Sequence, residues 1–182
     1  MNLSVVNTKQ QTRGNFFLIG FMGSGKSHWG KIWAEANQFA FFDLDTVIED
    51  QVGKTVAAIF DLNGEDYFRG LEADVLRNCA QLQNTIVACG GGTPCFHENM
   101  HWMNKYGTTI YIACTSGEIL SRILQEKEKR PLLKNLNPAE LLSFIEQKVT
   151  EREPFYAQAT ITVQSSLLTE FSFPKIISTI TN

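Results

Sequence analysis

The stretch Asn15-Phe16-Phe17-Leu18-Ile19-Gly20-Phe21-Met22-Gly23-Ser24-Gly25-Lys26-Ser27 decides the fold. Its first five residues are a short apolar run of strand length. Gly20 to Ser27 matches G-x-x-x-x-G-K-[ST], and from Lys26 to Ala36 apolar residues recur at three and four spacing, which predicts a helix. A strand, a glycine-rich turn and a helix in this order make a phosphate cradle. The glycines let the backbone curl so that N–H groups point at phosphate oxygens, and the helix adds the positive end of its dipole. Gly23, Ser24 and Gly25 then face the phosphates of a nucleotide such as ATP, Lys26 bridges its β- and γ-phosphates, and the Ser27 hydroxyl ligates Mg2+. His28, next along the helix, reads as a surface residue at the edge of the nucleotide rather than as a base. A glycine-rich strand-to-helix turn with an exposed lysine would give the same letters, but the full pattern placed directly between a strand and a helix favours the cradle.

Further apolar runs stand at Phe39 to Phe42, Thr85 to Cys89, Thr108 to Ala113 and Ala159 to Val163. They are continuous rather than alternating, as expected of parallel strands covered on both faces. Helical periodicity fills Glu65 to Leu82, Glu98 to Tyr106, Ser116 to Leu124 and Pro138 to Arg152. Strand alternating with helix predicts an α/β protein, a three-layer αβα sandwich on a five-stranded parallel sheet. Thr115 with Glu118 resembles a capping box, Asn137 before Pro138 combines a cap with a first-turn proline, and Ser172 before Pro174 suggests a short final helix. Gln125 to Leu136 is charged, interrupted by Pro131 and without period, which predicts a mobile lid loop. Residues 1–13 read as a frayed polar tail without the apolar core of a signal peptide. The 182 residues are expected to form a single domain.

Sixteen basic and nineteen acidic residues are interspersed and leave a net charge of −3, so neither nucleic acid nor an anionic membrane is an expected partner. No apolar run reaches the roughly twenty residues a membrane-spanning helix needs. Cys79, Cys89, Cys95 and Cys114 show no C-x-x-C spacing, and reduced thiols in the cytoplasm are expected.

The acceptor side of the chemistry has to come from other residues. GTPase base-reading signals of the N-K-x-D type are absent, and the chain is short for an ATPase with coupling domains, which leaves a small-molecule kinase. Asp43 and Asp45 are expected at the end of the second strand, where a spacing of two turns both side chains to one side of the pleat, facing the ligand crevice. One carboxylate there can help hold Mg2+ and the other can accept a hydrogen bond from the attacking hydroxyl. Asp45 would otherwise serve as the cap of a helix beginning near Thr46.

With these residues the chain resembles the shikimate kinase family, whose pattern sets D-x-D, F-R-x-x-E, G-G-G, R-P-L and R-x-x-x-Y in order after the phosphate loop. Here they are Asp43-Leu44-Asp45, Phe68-Arg69-Gly70-Leu71-Glu72, Gly90-Gly91-Gly92, Arg130-Pro131-Leu132 and Arg152-Glu153-Pro154-Phe155-Tyr156. The resemblance spans about Phe16 to Ala157 and implies a P-loop kinase architecture. It further implies that Asp43 organises magnesium and that Asp45 contacts the hydroxyl being phosphorylated. Arg69, Gly91 and Arg152 would hold shikimate, and Arg130 would act as a lid arginine at the transferring phosphoryl group. Arg122 is similar to the arginine that covers adenine. A planar carboxylate is well matched by guanidinium forks, and Glu72 stands where it can fix Arg69. Taken alone, Arg69 and Glu72 would read as a solvated ion pair, and Gly90 to Gly92 as a flexible turn. The expected protein is a monomer acting on a small molecule, with gluconate-type kinases and a catalytically silent nucleotide-binding module as rivals. Cys95, His97 and His101 have zinc-like spacing but lack a fourth ligand, and read as two surface histidines and a buried thiol. Trp29, Trp33 and Trp102 read as packing.

Overall fold

The computed structural model describes residues 14–125 and 137–179. In chain order the elements are β1 (Phe16–Ile19), α1 (Lys26–Asn37), β2 (Ala40–Asp43), α2 (Leu44–Val52), α3 (Val56–Asn63), α4 (Glu65–Asn78), β3 (Thr85–Ala88), α5 (Asn99–Tyr106), β4 (Thr108–Ala113), α6 (Ser116–Gln125), α7 (Pro138–Tyr156), β5 (Ile161–Gln164) and α8 (Ser172–Ser178). All strand pairings are parallel and the sheet order is β2-β3-β1-β4-β5. The three-layer αβα sandwich expected from the sequence is the observed architecture.

The strand runs are continuously apolar because alternate side chains enter two separate cores. Phe17 and Ile19 of β1 join Val87, Tyr111 and the buried residues of α2, α3, α4 and α5. Phe16 and Leu18 join Ile86, Ile110 and Ile112 with Trp33 of α1 and Phe173 of α8. The edge strands β2 and β5 are partly exposed, and there the pattern weakens.

The helix boundaries follow the predicted caps at two places. Asn137 accepts from Ala139 and Glu140 N–H in a full capping box, and Thr115 and Glu118 exchange backbone and side-chain bonds in the same way. Elsewhere the sequence reading is corrected. Helix α3 was not foreseen: its eight residues are mostly apolar, so no polar face gives the period away, and its local signals are the cap Thr55 and the closing Gly64. Helix α4 stops at Asn78 and a 3-10 turn (Cys79–Gln81) completes the stretch to Leu82. Helix α6 reaches Gln125, one residue into the expected loop. Helix α7 continues past Arg152 through Pro154, which delivers Tyr156 to the sheet. The expected tail, Arg130 and the expected lid beyond Gln125 lie outside the described residues.

The loops after β1 and β3, adjacent strands, leave toward opposite layers: α1 packs with α8, whereas α5 packs with α2 to α4. Such divergence opens a crevice at the carboxyl edge of a parallel sheet. The opposite edge is tightly closed. A Cβ on Gly107 would stand 2.4 Å from the Asn15 carbonyl oxygen, which already accepts the Thr108 N–H at 2.9 Å. Gly107→Ala is therefore expected to cost about 2 kcal/mol and to lower Tm by roughly 4–8 °C. Thermal denaturation followed by circular dichroism measures this, and a Tm within a degree of the parent would contradict the backbone clash.

Candidate active site

The crevice is a cleft of about 600 Å³ whose lining includes Lys26, Ser27, Asp43, Asp45, Gly91 and Arg122. Its floor is the loop between β1 and α1. Gly25 caps α1 at φ 95°, a left-handed conformation that a side chain would strain, and no side chain caps the helix. The first N–H groups of α1 are thus left for an anion. Lys26 is 8 % exposed and donates from Nζ to the carbonyls of Gly20 (2.8 Å) and Phe21 (2.9 Å). Burial lowers its pKa to about 8, against the opposing pull of Asp45.

Ser27 donates its hydroxyl to Asp43 at 2.5 Å. Asp43 is the last residue of β2 and caps α2 by accepting from Thr46 N–H. Asp45 is not on the strand: it sits in the first turn of α2, so the pleat argument fails and the helix turn aims it. The cap near Thr46 is Asp43 rather than Asp45. Burial raises the Asp45 pKa to about 6, helped by the neighbouring Asp43 and Glu72 carboxylates and partly offset by Lys26.

Gly90 to Gly92 form the hub of the site. A Cβ on Gly90 would stand 2.7 Å from Glu72 Oε1 and 3.3 Å from Asp45 Oδ1. One on Gly91 would stand 3.1 Å from an Arg152 nitrogen and 3.3 Å from the Met22 amide nitrogen of the phosphate loop, and one on Gly92 would stand 2.5 Å from Arg69 Nη2. Three missing side chains thus let one backbone segment touch the phosphate loop, the buried carboxylate and both guanidinium groups. Arg69 donates to Glu72 (2.9 Å) and Glu65 (2.8 Å), and with Glu72 wholly buried this is no solvated pair. Thr93 donates to the other Glu72 oxygen. Arg152 rests over the Phe21 ring, and the Tyr156 hydroxyl donates to the Gly91 carbonyl.

At the other end of the cleft Arg122 donates to the Gly23 carbonyl (2.9 Å) and to Ser165 Oγ (3.0 Å), and Ser165 donates to Glu118. Gly23, Gly25, Ser27 and His28 line the cleft beside it, Ser24 is fully buried beneath, and His28 is exposed with its ring edge against Trp29. Sequence reasoning missed Thr93 and Ser165, which meet their partners through the fold, and Glu65, whose i,i+4 spacing to Arg69 on α4 was a local signal; it took Trp29 as packing although it also lines the cleft. No metal-binding cluster of three His, Cys, Asp or Glu occurs among the described residues. His97 precedes α5 at φ 48°, so it shares no helix face with His101, and Cys95 is only partly buried.

The shikimate kinase family model matches residues 22–181. The chain is 42 % identical over 143 residues to shikimate kinase of Phocaeicola vulgatus, covering 79 % of this chain and 82 % of that protein. The crystal structure of shikimate kinase from Bacteroides thetaiotaomicron superposes with a TM-score of 0.84 at 34 % identity, covering 92 % of this chain and 96 % of that one. Shikimate kinase from Acinetobacter baumannii in complex with shikimate gives a TM-score of 0.81 at 30 % identity over 93 % and 94 % of the two chains. With a phosphate loop, a D-x-D turn and two guanidinium groups joined at a triple-glycine hub, and a family model that spans nearly all of the sequence, the chain belongs to the shikimate kinase family.

Proposed function

We propose that this chain transfers the γ-phosphoryl group of ATP to the 3-hydroxyl of shikimate, giving ADP and shikimate 3-phosphate on the route to chorismate. The observation that carries this reading is the meeting of Asp45, Arg69 and Arg152 with the phosphate loop at Gly90 to Gly92. Arg69 and Arg152 hold the acceptor carboxylate as charge-assisted donors, and Gly91 brings the backbone against the ring. Asp45, largely ionised above its pKa of about 6, accepts the hydrogen bond of the 3-hydroxyl and orients its oxygen toward the γ-phosphorus. The new O–P bond forms as the bond from the γ-phosphorus to its bridging oxygen breaks. The hydroxyl proton passes to Asp45, and ADP leaves with the electron pair. Lys26 turns from its own loop carbonyls to the β- and γ-phosphates, Arg122 lies along the adenine with His28 at the rim, and Arg130 covers the transferring group.

Ser27 and Asp43 fit Mg2+: both offer hard oxygen donors, and this ion takes few protein ligands beside water and substrate phosphates. When bound, it neutralises phosphate charge. The donor loop and the acceptor groups belong to one chain, which supports a single-domain monomer. No helix among the described residues is long and apolar enough to cross a membrane, and the signs of charge are interspersed, in keeping with a cytoplasmic enzyme that needs neither lipid nor nucleic acid. The test is a coupled ADP assay with shikimate and with gluconate as acceptors. Turnover with shikimate and none with gluconate is expected, whereas the reverse pattern would overturn the assignment. ATP binding without shikimate binding in calorimetry would mark a silent module instead.

A further inference from the structure

Arg69 is enclosed by three aromatic rings. Its guanidinium carbon lies 5.8 Å from the Phe60 centroid, 5.3 Å from that of Phe68 and 4.4 Å from that of Phe96. Phe60 and Phe68 precede it on α3 and α4, but Phe96 arrives from a different part of the chain, the connection between the glycine hub and α5. It is 36 % exposed, so its ring covers the guanidinium on the solvent side rather than filling the core.

The chain is bent to put it there. Directly after Phe96, His97 and Glu98 both take left-handed backbone angles, φ 48° and 55°, a conformation that non-glycine residues adopt only at a cost. Dedicated side chains hold that bend. Arg77 donates to the His97 carbonyl (2.8 Å) and to Asn99 Oδ1 (2.8 Å), while the buried Asn99 donates back to the Thr93 carbonyl (2.9 Å). Thr93 in turn donates to Glu72, the buried partner of Arg69. Residues 93 to 99 are thus clamped at both ends, with Phe96 projecting between the clamps onto Arg69.

We propose that Phe96 is a positioning residue for the acceptor's carboxylate, acting through Arg69, an inference that rests on the reading of Arg69 as the group that holds that carboxylate. Of the five N–H donors of Arg69, two point to Glu65 and one to Glu72, which leaves one on each terminal nitrogen for a planar anion. Stacking on Phe96 fixes the plane in which those two donors lie. It also strips water from one face, which strengthens a charge-assisted bond to an incoming carboxylate. The stack exists before the acid arrives, so its contribution is orientation and drying, and it appears in the affinity for the acceptor rather than in the transfer step.

The experiment measures steady-state kinetics with shikimate and ATP for Phe96→Leu, Phe96→Met, Phe96→Tyr and Arg69→Met at 20 °C, with each variant's folded state checked by circular dichroism. Leucine and methionine keep an apolar cover and remove the π-face. They are expected to raise the KM for shikimate about 3- to 10-fold, with kcat and the KM for ATP within about twofold of the parent. Phe96→Tyr restores the parent KM, which a merely space-filling role would not require. If Arg69→Met raises the shikimate KM steeply while Phe96→Leu and Phe96→Met leave it unchanged, the role of Phe96 is refuted and that of Arg69 stands. If Arg69→Met leaves it unchanged as well, the reading of the carboxylate site itself is overturned. A Phe96 effect of equal size on the KM for ATP would point to general loosening of the site and would also refute the proposal.

Discussion

Asp45→Asn is expected to lower kcat by about 10³-fold and to leave the affinity for ATP within a few-fold, because in the proposed reading Asp45 serves the acceptor while the loop from Gly20 to Ser27 holds the phosphates. The same change is expected to make the protein more stable at neutral pH. Folding raises the Asp45 pKa from 3.8 to about 6, with burial as the first cause and the Asp43 and Glu72 carboxylates adding to it. Between those values the folded protein binds more protons than the unfolded chain, so stability falls as pH rises through that window, and the full cost is present above pH 6. The move from 3.8 to about 6 sets a ceiling of roughly 3 kcal/mol. Asp45 is only half-buried, and its loss also leaves Lys26 with less countercharge. A gain of about 1–2 kcal/mol, or roughly 2–8 °C in Tm, is therefore expected at pH 7.5. The difference should vanish below about pH 4.

The pH dependence of the parent enzyme follows from the same group. For shikimate, kcat/KM should rise about tenfold per pH unit up to about pH 6 and then level off, since this ratio reports the ionisation of the free enzyme. Differential scanning calorimetry of both proteins across pH 4 to 8, beside single-turnover kinetics, checks the pair of expectations. A variant with normal turnover removes Asp45 from the chemistry. A variant that is less stable at pH 7.5 shows that its carboxylate is held rather than forced into the site.

The parts legible in the sequence share a physical origin. Each interior strand is buried on both faces, so Phe16 to Ile19 and Thr108 to Ala113 stand out as unbroken apolar runs, whereas the half-exposed edge strands β2 and β5 are shifted by one or two residues in the reading. The phosphate loop, Asp43, Asp45 and Gly90 to Gly92 were readable because they stand at or just after strand ends, whereas Arg69 on α4 and Arg152 on α7 stand further along the chain and were marked only by the order of the short motifs. Contacts made across the fold were not readable. Thr93 meets Glu72 over 21 residues and Ser165 meets Arg122 over 43, with no local period to mark either pair. Asp45 was found for the wrong geometric reason, since α2 begins at Leu44, directly after the strand, and takes Asp45 into its first turn. Helix α3 escaped because an apolar octamer has no polar face to set its period against.

Arg69→Met is expected to damage the enzyme twice, and the two kinds of damage can be separated. On the functional side it removes one of the two guanidinium groups proposed to hold the acceptor carboxylate, and kcat/KM for shikimate should fall about 10²-fold or more. On the structural side it strands Glu72, which is 0 % exposed and, among the described residues, keeps the Thr93 hydroxyl as its hydrogen-bond partner. Breaking a buried pair from one side costs about 3–5 kcal/mol, which lowers Tm by about 10 °C. Adding Glu72→Gln removes the stranded charge and retains an acceptor for Thr93. The double variant should therefore regain more than half of the lost Tm, with no recovery of kcat/KM for shikimate. Thermal melts and acceptor-titrated kinetics on the parent, the single variant and the double variant make the comparison. Recovery of both quantities together would mean that Arg69 serves only to neutralise Glu72, and that the acceptor's carboxylate is held by Arg152 without it.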